Sequence, residues 1–146
     1  MTEIWTDGGC HGNPGPGGWA WVRRNEDGTF LEARGAELST TNNRMELSAV
    51  IDALQKAKSG NWSLPLYIHT DSQYVQLGIS TWIKGWVRNG WKTASKQPVK
   101  NKDLWMVLHE LDQSVQVEWK WVKGHAGNLQ NERCDELVQE AIHALS

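Results

Sequence analysis

The sequence predicts an α/β fold: one domain over residues 1–146, with helices flanking a five-stranded mixed sheet. Three observations carry this. Short β-type runs early in the chain give way to helical spacing near residue 41. A nearly continuous apolar run at 64–70 reads as a central strand. A strictly alternating run at 115–121 follows a second block of helices. The predicted order is β-β-β-α-β-α-α-α-β-α, antiparallel at first and joined by helical crossovers later.

Ile4-Trp5-Thr6 is a short strand ended by Asp7. Residues 8–18 contain Gly12, Pro14, Gly15, Pro16 and Gly17 and read as a turn or loop. Residues 19–22 resume a strand, 25–28 turn, and 29–36 return, giving a three-stranded meander. Leu47, Val50 or Ile51, and Leu54, with Met45, Ala49, Ala53 and Ala57 alongside, form the stripe of an amphipathic helix. Thr41 or Asn42 suits its N-cap, and Ser59-Gly60-Asn61 its end. Helical segments follow at 72–78, 80–89 and 101–113, with Gly85, Gly90 and Pro98 excluding one continuous helix. The last helix carries Cys134, Leu137, Val138, Ala141, Ile142 and Leu145 on one face, with Asp135 at the boundary of that face.

A chain of 146 residues can bury a real core. No stretch approaches the roughly 18 apolar residues of a membrane span, and the start lacks the pattern of a signal peptide. Cys10 and Cys134 make neither a disulfide framework nor a CxxC site, so a reducing, cytoplasmic setting is expected. The ten tryptophans are spread along the chain and read as core packing with amphipathic edges.

Net charge is −2, yet its distribution is uneven. Residues 72–102 contain no Asp or Glu but six cations: Lys84, Arg88, Lys92, Lys96, Lys100 and Lys102. The remainder holds 9 basic and 17 acidic residues, or −8. Salt-bridged surface helices usually alternate sign, and this segment does not. A basic lobe on an acidic body suits a protein that grips a polyanion with one part and metal ions with another.

Four acids stand at element ends or in first turns: Asp7, Glu46, Asp71 and Asp135. If they converge, their repulsion is roughly 4 kcal/mol per pair at about 4 Å with an effective dielectric near 20. Divalent cations would relieve it, which points to metal-assisted chemistry. The other motifs are weak singly. The glycine-rich segment precedes a strand, so Walker and dinucleotide readings fail. Asn42-Asn43 could cap a helix or grip a ligand, and a histidine like His125 in a glycine-flanked loop is usually solvated. Trp82, Trp86, Trp91 and Trp105 read as the small core of the basic lobe.

Together the motifs form a recognisable set: Thr6-Asp7-Gly8, residues 12–18, residues 40–47 and Thr70-Asp71-Ser72-Gln73-Tyr74-Val75. Gly90-Trp91-Lys92-Thr93, Pro98-Val99-Lys100-Asn101, Trp121-Val122-Lys123-Gly124-His125 and residues 131–137 complete it. Over essentially its whole length the chain resembles the bacterial type 1 ribonuclease H family. The resemblance implies a ribonuclease H-like fold with a basic helical protrusion. It also implies hydrolysis of the RNA strand of RNA–DNA hybrids without strong sequence specificity, leaving 5′-phosphate and 3′-hydroxyl ends. Asp7, Glu46, Asp71 and Asp135 match the family's metal-binding acids, and His125 its mobile-loop histidine. The cofactor implied is Mg²⁺, two ions per site with substrate, with Mn²⁺ as a substitute. Asp7 is expected to bridge both ions, Glu46 and Asp71 to hold the leaving-group side, and Asp135 the nucleophile side.

Cys10, Gly12, Asn13, Thr41, Asn42, Asn43 and Gln73 match hybrid-contacting positions, with Thr41 at a DNA-phosphate pocket. Trp82, Trp86, Arg88, Lys92, Lys96 and Lys100 match the protrusion that leans on the DNA strand. The partner expected is the hybrid duplex, handled by a monomer with no membrane and no obligatory protein partner. Gly9 and His11 depart from the pattern, where Ser or Ala and an apolar or small residue are expected. Trp5, Trp19 and Trp21 are bulkier than expected. Two other classes stay open: a related-fold enzyme acting on duplex DNA, and a module that binds hybrids without cutting.

Overall fold

The computed structural model describes residues 1–123 and 128–146. Strands β1 (Thr2–Cys10), β2 (Gly15–Arg24) and β3 (Phe30–Thr40) form the antiparallel meander. Helix α1 (Asn42–Ser59) crosses to β4 (Leu66–Thr70), and β5 (Val117–Trp121) follows the later helices. The sheet order is β3-β2-β1-β4-β5, with β4 parallel to both β1 and β5. The remaining helices are α2 (Gln73–Leu77), α3 (Ile83–Arg88), α4 (Lys102–Ser114) and α5 (Leu129–His143).

Strand alternation sends neighbouring residues to opposite cores. Ile4 and Trp21 join Leu47, Val50 and Leu54 of α1 and Trp105 and Leu108 of α4 on one face. Trp5, Ala20 and Val22 meet Cys134, Leu137, Val138 and Ile142 of α5 on the other. No helix among the described residues is long and apolar enough to cross a membrane.

Two expectations change. β1 does not stop at Thr6 but runs to Cys10, and β2 begins at Gly15, so only residues 11–14 form the turn. Asp7 therefore lies within a strand, opposite Ala20, rather than closing one. Glycine serves close packing here. A Cβ on Gly8 would collide with the Met45 and Glu46 backbone of α1, and one on Gly17 would lie 2.6 Å from Thr40 Cγ2. The second change is in the helices. α2, a five-residue π-helical turn (Gly78–Trp82) and α3 follow without a break. A Cβ on Gly78 would strike the Trp105 ring, which accounts for glycine at that turn. Gly85 sits inside α3 with open space beside it.

The start of α1 is held firmly. Thr41 is the N-cap, its hydroxyl accepting from Arg44 N at 3.3 Å. The Arg44 guanidinium forks onto Asp103 at 3.0 and 2.8 Å and also donates to Asn101 Oδ1 at 3.2 Å. This ties α1 to the start of α4. Tyr74 OH accepts from Asn101 Nδ2 at 3.1 Å and from Trp105 Nε1 at 2.8 Å, docking α2 against the same point.

Gly8→Ala is expected to lower stability by about 1–3 kcal/mol, the usual penalty of overpacking, as a reduced urea midpoint at unchanged m-value. A midpoint equal to that of the unsubstituted chain would show that α1 does not rest on the β1 backbone at Gly8 in solution.

Candidate active site

Three carboxylates converge where β1, α1 and β4 meet. Each of Asp7, Glu46 and Asp71 offers an oxygen within 4.8 Å of the others. The parallel register pairs Trp5 with His69, so two residues further on Asp7 and Asp71 stand level. Glu46 comes up from the first turns of α1 because that helix lies directly on Gly8. Asp71 is set at the strand–helix junction by Ser72, whose N–H donates to Thr70 Oγ1 and whose hydroxyl accepts from Val75 N, both at 3.1 Å.

Asp7 and Glu46 are buried, Asp71 half-buried. Burial pushes the Glu46 carboxyl well above the usual carboxylate range; the charges of Asp7 and Asp71 push the same way, and the Gly8 amide opposes them. At about 5 Å and an effective dielectric near 20, each like-charge pair is worth roughly 3 kcal/mol of repulsion. Glu46 Oε1 is buried without a hydrogen-bond partner among the described residues. An orphaned carboxylate oxygen facing two further carboxylates suits a hard divalent cation, which takes oxygen ligands. The donor set therefore fits a divalent cation held through oxygen.

Asp135 is exposed in the second turn of α5 and does not belong to the 4.8 Å group. Its neighbour Cys134 anchors that turn: the thiol donates to Trp5 O at 3.4 Å. Burial holds the thiol far above its usual range, and the charges of Asp7, Glu32 and Glu46 add to this, so it stays protonated. His125 lies outside the described residues.

The acids floor a cleft of about 350 Å³ whose walls include Asn42, Asn43 and Gln73. The cleft also takes in Ser72 and Tyr74, which the sequence did not single out as site residues. Ser72, as the N-cap of α2 three residues before Val75, carried a capping signal in the sequence. Tyr74 carried none, because its hydroxyl is oriented by Asn101 and Trp105 from a distant helix. A larger cleft of about 550 Å³ lies at the other end of β1, beside Arg23 and Trp62, away from the three acids.

Cys10, Gly12 and Asn13 lie at the β1–β2 turn. Cys10 Sγ lies 3.3 Å from both Gly15 O and Thr40 O, which share its single S–H, and Asn13 Oδ1 accepts from Asn42 N at 3.1 Å. The basic lobe holds a cluster of tilted and edge-on indoles: Trp86 lies 5.8 Å from Trp82, 6.3 Å from Trp91 and 5.3 Å from the fully buried Trp105. Arg88, Lys92, Lys96 and Lys100 are exposed around it. Lys92 bridges to Pro98, closing the lobe's loop.

The family model described as RNase H matches residues 1–143. A protein named Ribonuclease H from Treponema denticola is 57% identical, covering 98% of each chain. One of the same name from Mesorhizobium japonicum is 55% identical, over 97% of this chain and 78% of that one. Among solved structures, LC9-RNase H1, described as a type 1 RNase H with the type 2 active-site motif, superposes with TM-score 0.86 at 31% identity. That match covers 99% of this chain and 73% of the other. LC11-RNase H1, solved in complex with an RNA/DNA hybrid, gives TM-score 0.75 at 27% identity, covering both chains fully. The chain belongs to the RNase H family.

Proposed function

We propose that this chain is an endoribonuclease that hydrolyses the RNA strand of RNA–DNA hybrids, leaving 5′-phosphate and 3′-hydroxyl ends. The observation that carries the reading is the convergence of Asp7, Glu46 and Asp71 within 4.8 Å, in a cleft walled by neutral hydrogen-bonding side chains. A relative solved with an RNA/DNA hybrid supports the choice of substrate.

Asp7, Glu46 and Asp71 would hold divalent metal, with Asp135 joining from α5. Divalent metal held there would supply Lewis acidity to activate a water and to stabilise charge on the scissile phosphate and the leaving 3′-oxygen. Oxygen-only donors favour Mg²⁺, with Mn²⁺ as a substitute. His125 assists proton transfer or product departure. Asn42, Asn43 and Gln73 hydrogen-bond the sugar–phosphate backbone. Asn42 and Gln73, with Glu46 and the loop amides near Cys10 to Asn13, sense the 2′-hydroxyl, the group that tells RNA from DNA at a given site. Cys10, Gly12 and Asn13 meet the hybrid from the turn, and Thr41 stands at a phosphate of the DNA strand. Contacts to sugar and phosphate rather than base edges leave cleavage without strong sequence preference.

Trp82, Trp86 and the cations Arg88, Lys92, Lys96 and Lys100 receive the DNA strand. Because the tryptophans pack against one another, their main work is to form the lobe's core beneath its exposed cations. A monomer acting in the cytoplasm, with no obligatory protein partner, completes the proposal.

A labelled hybrid incubated with Mg²⁺ is expected to lose its RNA strand, while chelator, a duplex-DNA control or Asp7→Asn leaves the label intact. Asp7→Asn retains measurable hybrid binding. Turnover by that variant within about tenfold of the unsubstituted chain, where loss of a metal ligand should remove several kcal/mol of transition-state stabilisation, would end the proposal. Replacing Lys92, Lys96 and Lys100 together by alanine is expected to raise KM more than it lowers kcat. The log–log salt dependence should flatten by roughly 0.9 for each phosphate that is no longer neutralised. An unchanged KM at moderate salt would remove the lobe from the substrate path.

A further inference from the structure

We propose that His11 is a positioning residue for hybrid binding: with Gln139 it fastens the β1–β2 turn to α5 and holds the hybrid-facing atoms of that turn in place. The proposal rests on the ribonuclease H reading of the cleft. Residues 11–14 are bracketed by the main-chain bond from His11 N to Pro16 O at 2.8 Å. Two side chains leave the turn in different directions. Asn13 reaches the start of α1, accepting from Asn42 N at 3.1 Å. His11 reaches α5, where its Nε2–H donates to Gln139 Oε1 at 2.7 Å. Its ring also stands edge-on to that of His143, with centroids 6.5 Å apart at 75°. Gln139 and His143 are one helical turn apart on α5, so they present one face to the imidazole.

The turn is thus strung between the helix that carries Glu46 and the helix that carries Asp135. Gly12, between the two tethers, has φ +82, a left-handed conformation that glycine adopts readily. On this proposal the exposed turn, pivoting at Gly12, would otherwise sample more than one pose. The His11–Gln139 bond favours one of them, and α5 is a firm anchor because Cys134, Val138 and Ile142 are buried against the sheet. A bond at an exposed site adds little to the stability of a whole domain. It is sufficient to bias a four-residue turn, and substrate affinity falls in proportion to the fraction of turns held in the competent pose. The acids are not touched, so chemistry on bound hybrid should be unaffected.

The test is steady-state cleavage of a labelled hybrid in Mg²⁺ by His11→Ala, Gln139→Ala, the double variant and His11→Gln, with thermal melts alongside. Each alanine variant is expected to raise KM roughly three- to tenfold, the range set by one net hydrogen bond, with kcat within about twofold. The double variant should match the worse single one, since both remove the same bond. His11→Gln, which keeps an N–H donor, should recover most of the lost KM. Alanine variants with unchanged KM, or with KM effects that multiply in the double variant, would overturn the proposal, as would a drop in melting temperature with KM unmoved. Failure of the unsubstituted chain to cleave the hybrid is a separate result that would overturn the reading of the cleft itself.

Discussion

α1 lies on the bare backbone of β1 at Gly8, and the position of the site follows from that packing. Any side chain at Gly8 would meet the main chain of Met45 and Glu46. With none there, the helix comes close enough to bring Glu46 beside Asp7, one residue before that glycine. β4, parallel to β1, then delivers Asp71 at the same height. Around this junction the other contacts act as braces. Arg44 grips Asp103 and Asn101, Tyr74 receives hydrogen bonds from Asn101 and Trp105, and Ser72 shapes the turn after β4.

The scaffold gathers charges that would otherwise separate, and the strain is electrostatic. The folded chain keeps the Glu46 proton to higher pH than its ordinary value near 4.5, where the unfolded chain releases it. Through that interval the folded state binds more protons. Stability is therefore lost as pH rises from the ordinary value towards the raised one. A divalent cation held by Asp7, Glu46 and Asp71 would offset that repulsion and stabilise the ionised state.

Much of this was legible in the sequence. The alternation at β5 and the apolar stripes of α1 and α5 placed those elements within a few residues, because each buries one face against the sheet. The acids were visible through their motif context, and three of them do meet. The lengths of β1 and β2 were not legible. Glycine in residues 8–18 suggested a loop, and only tertiary packing reveals that Gly8 and Gly17 are glycine to admit α1 and Thr40. The continuity of α2 and α3 was hidden for a similar reason, since Gly78 answers to Trp105, far along the chain. Long-range hydrogen bonds, such as those to Tyr74 OH or from His11 to Gln139, leave no local signal.

The account turns on whether Asp7, Glu46 and Asp71 share one field. The most direct measurement is a carbon-13 NMR titration of the Glu46 side-chain carboxyl, first without metal and then with Mg²⁺. The account predicts a titration displaced well above the ordinary glutamate range without metal, and a fall towards or below that range once Mg²⁺ is added. An ordinary titration indifferent to Mg²⁺ would contradict it.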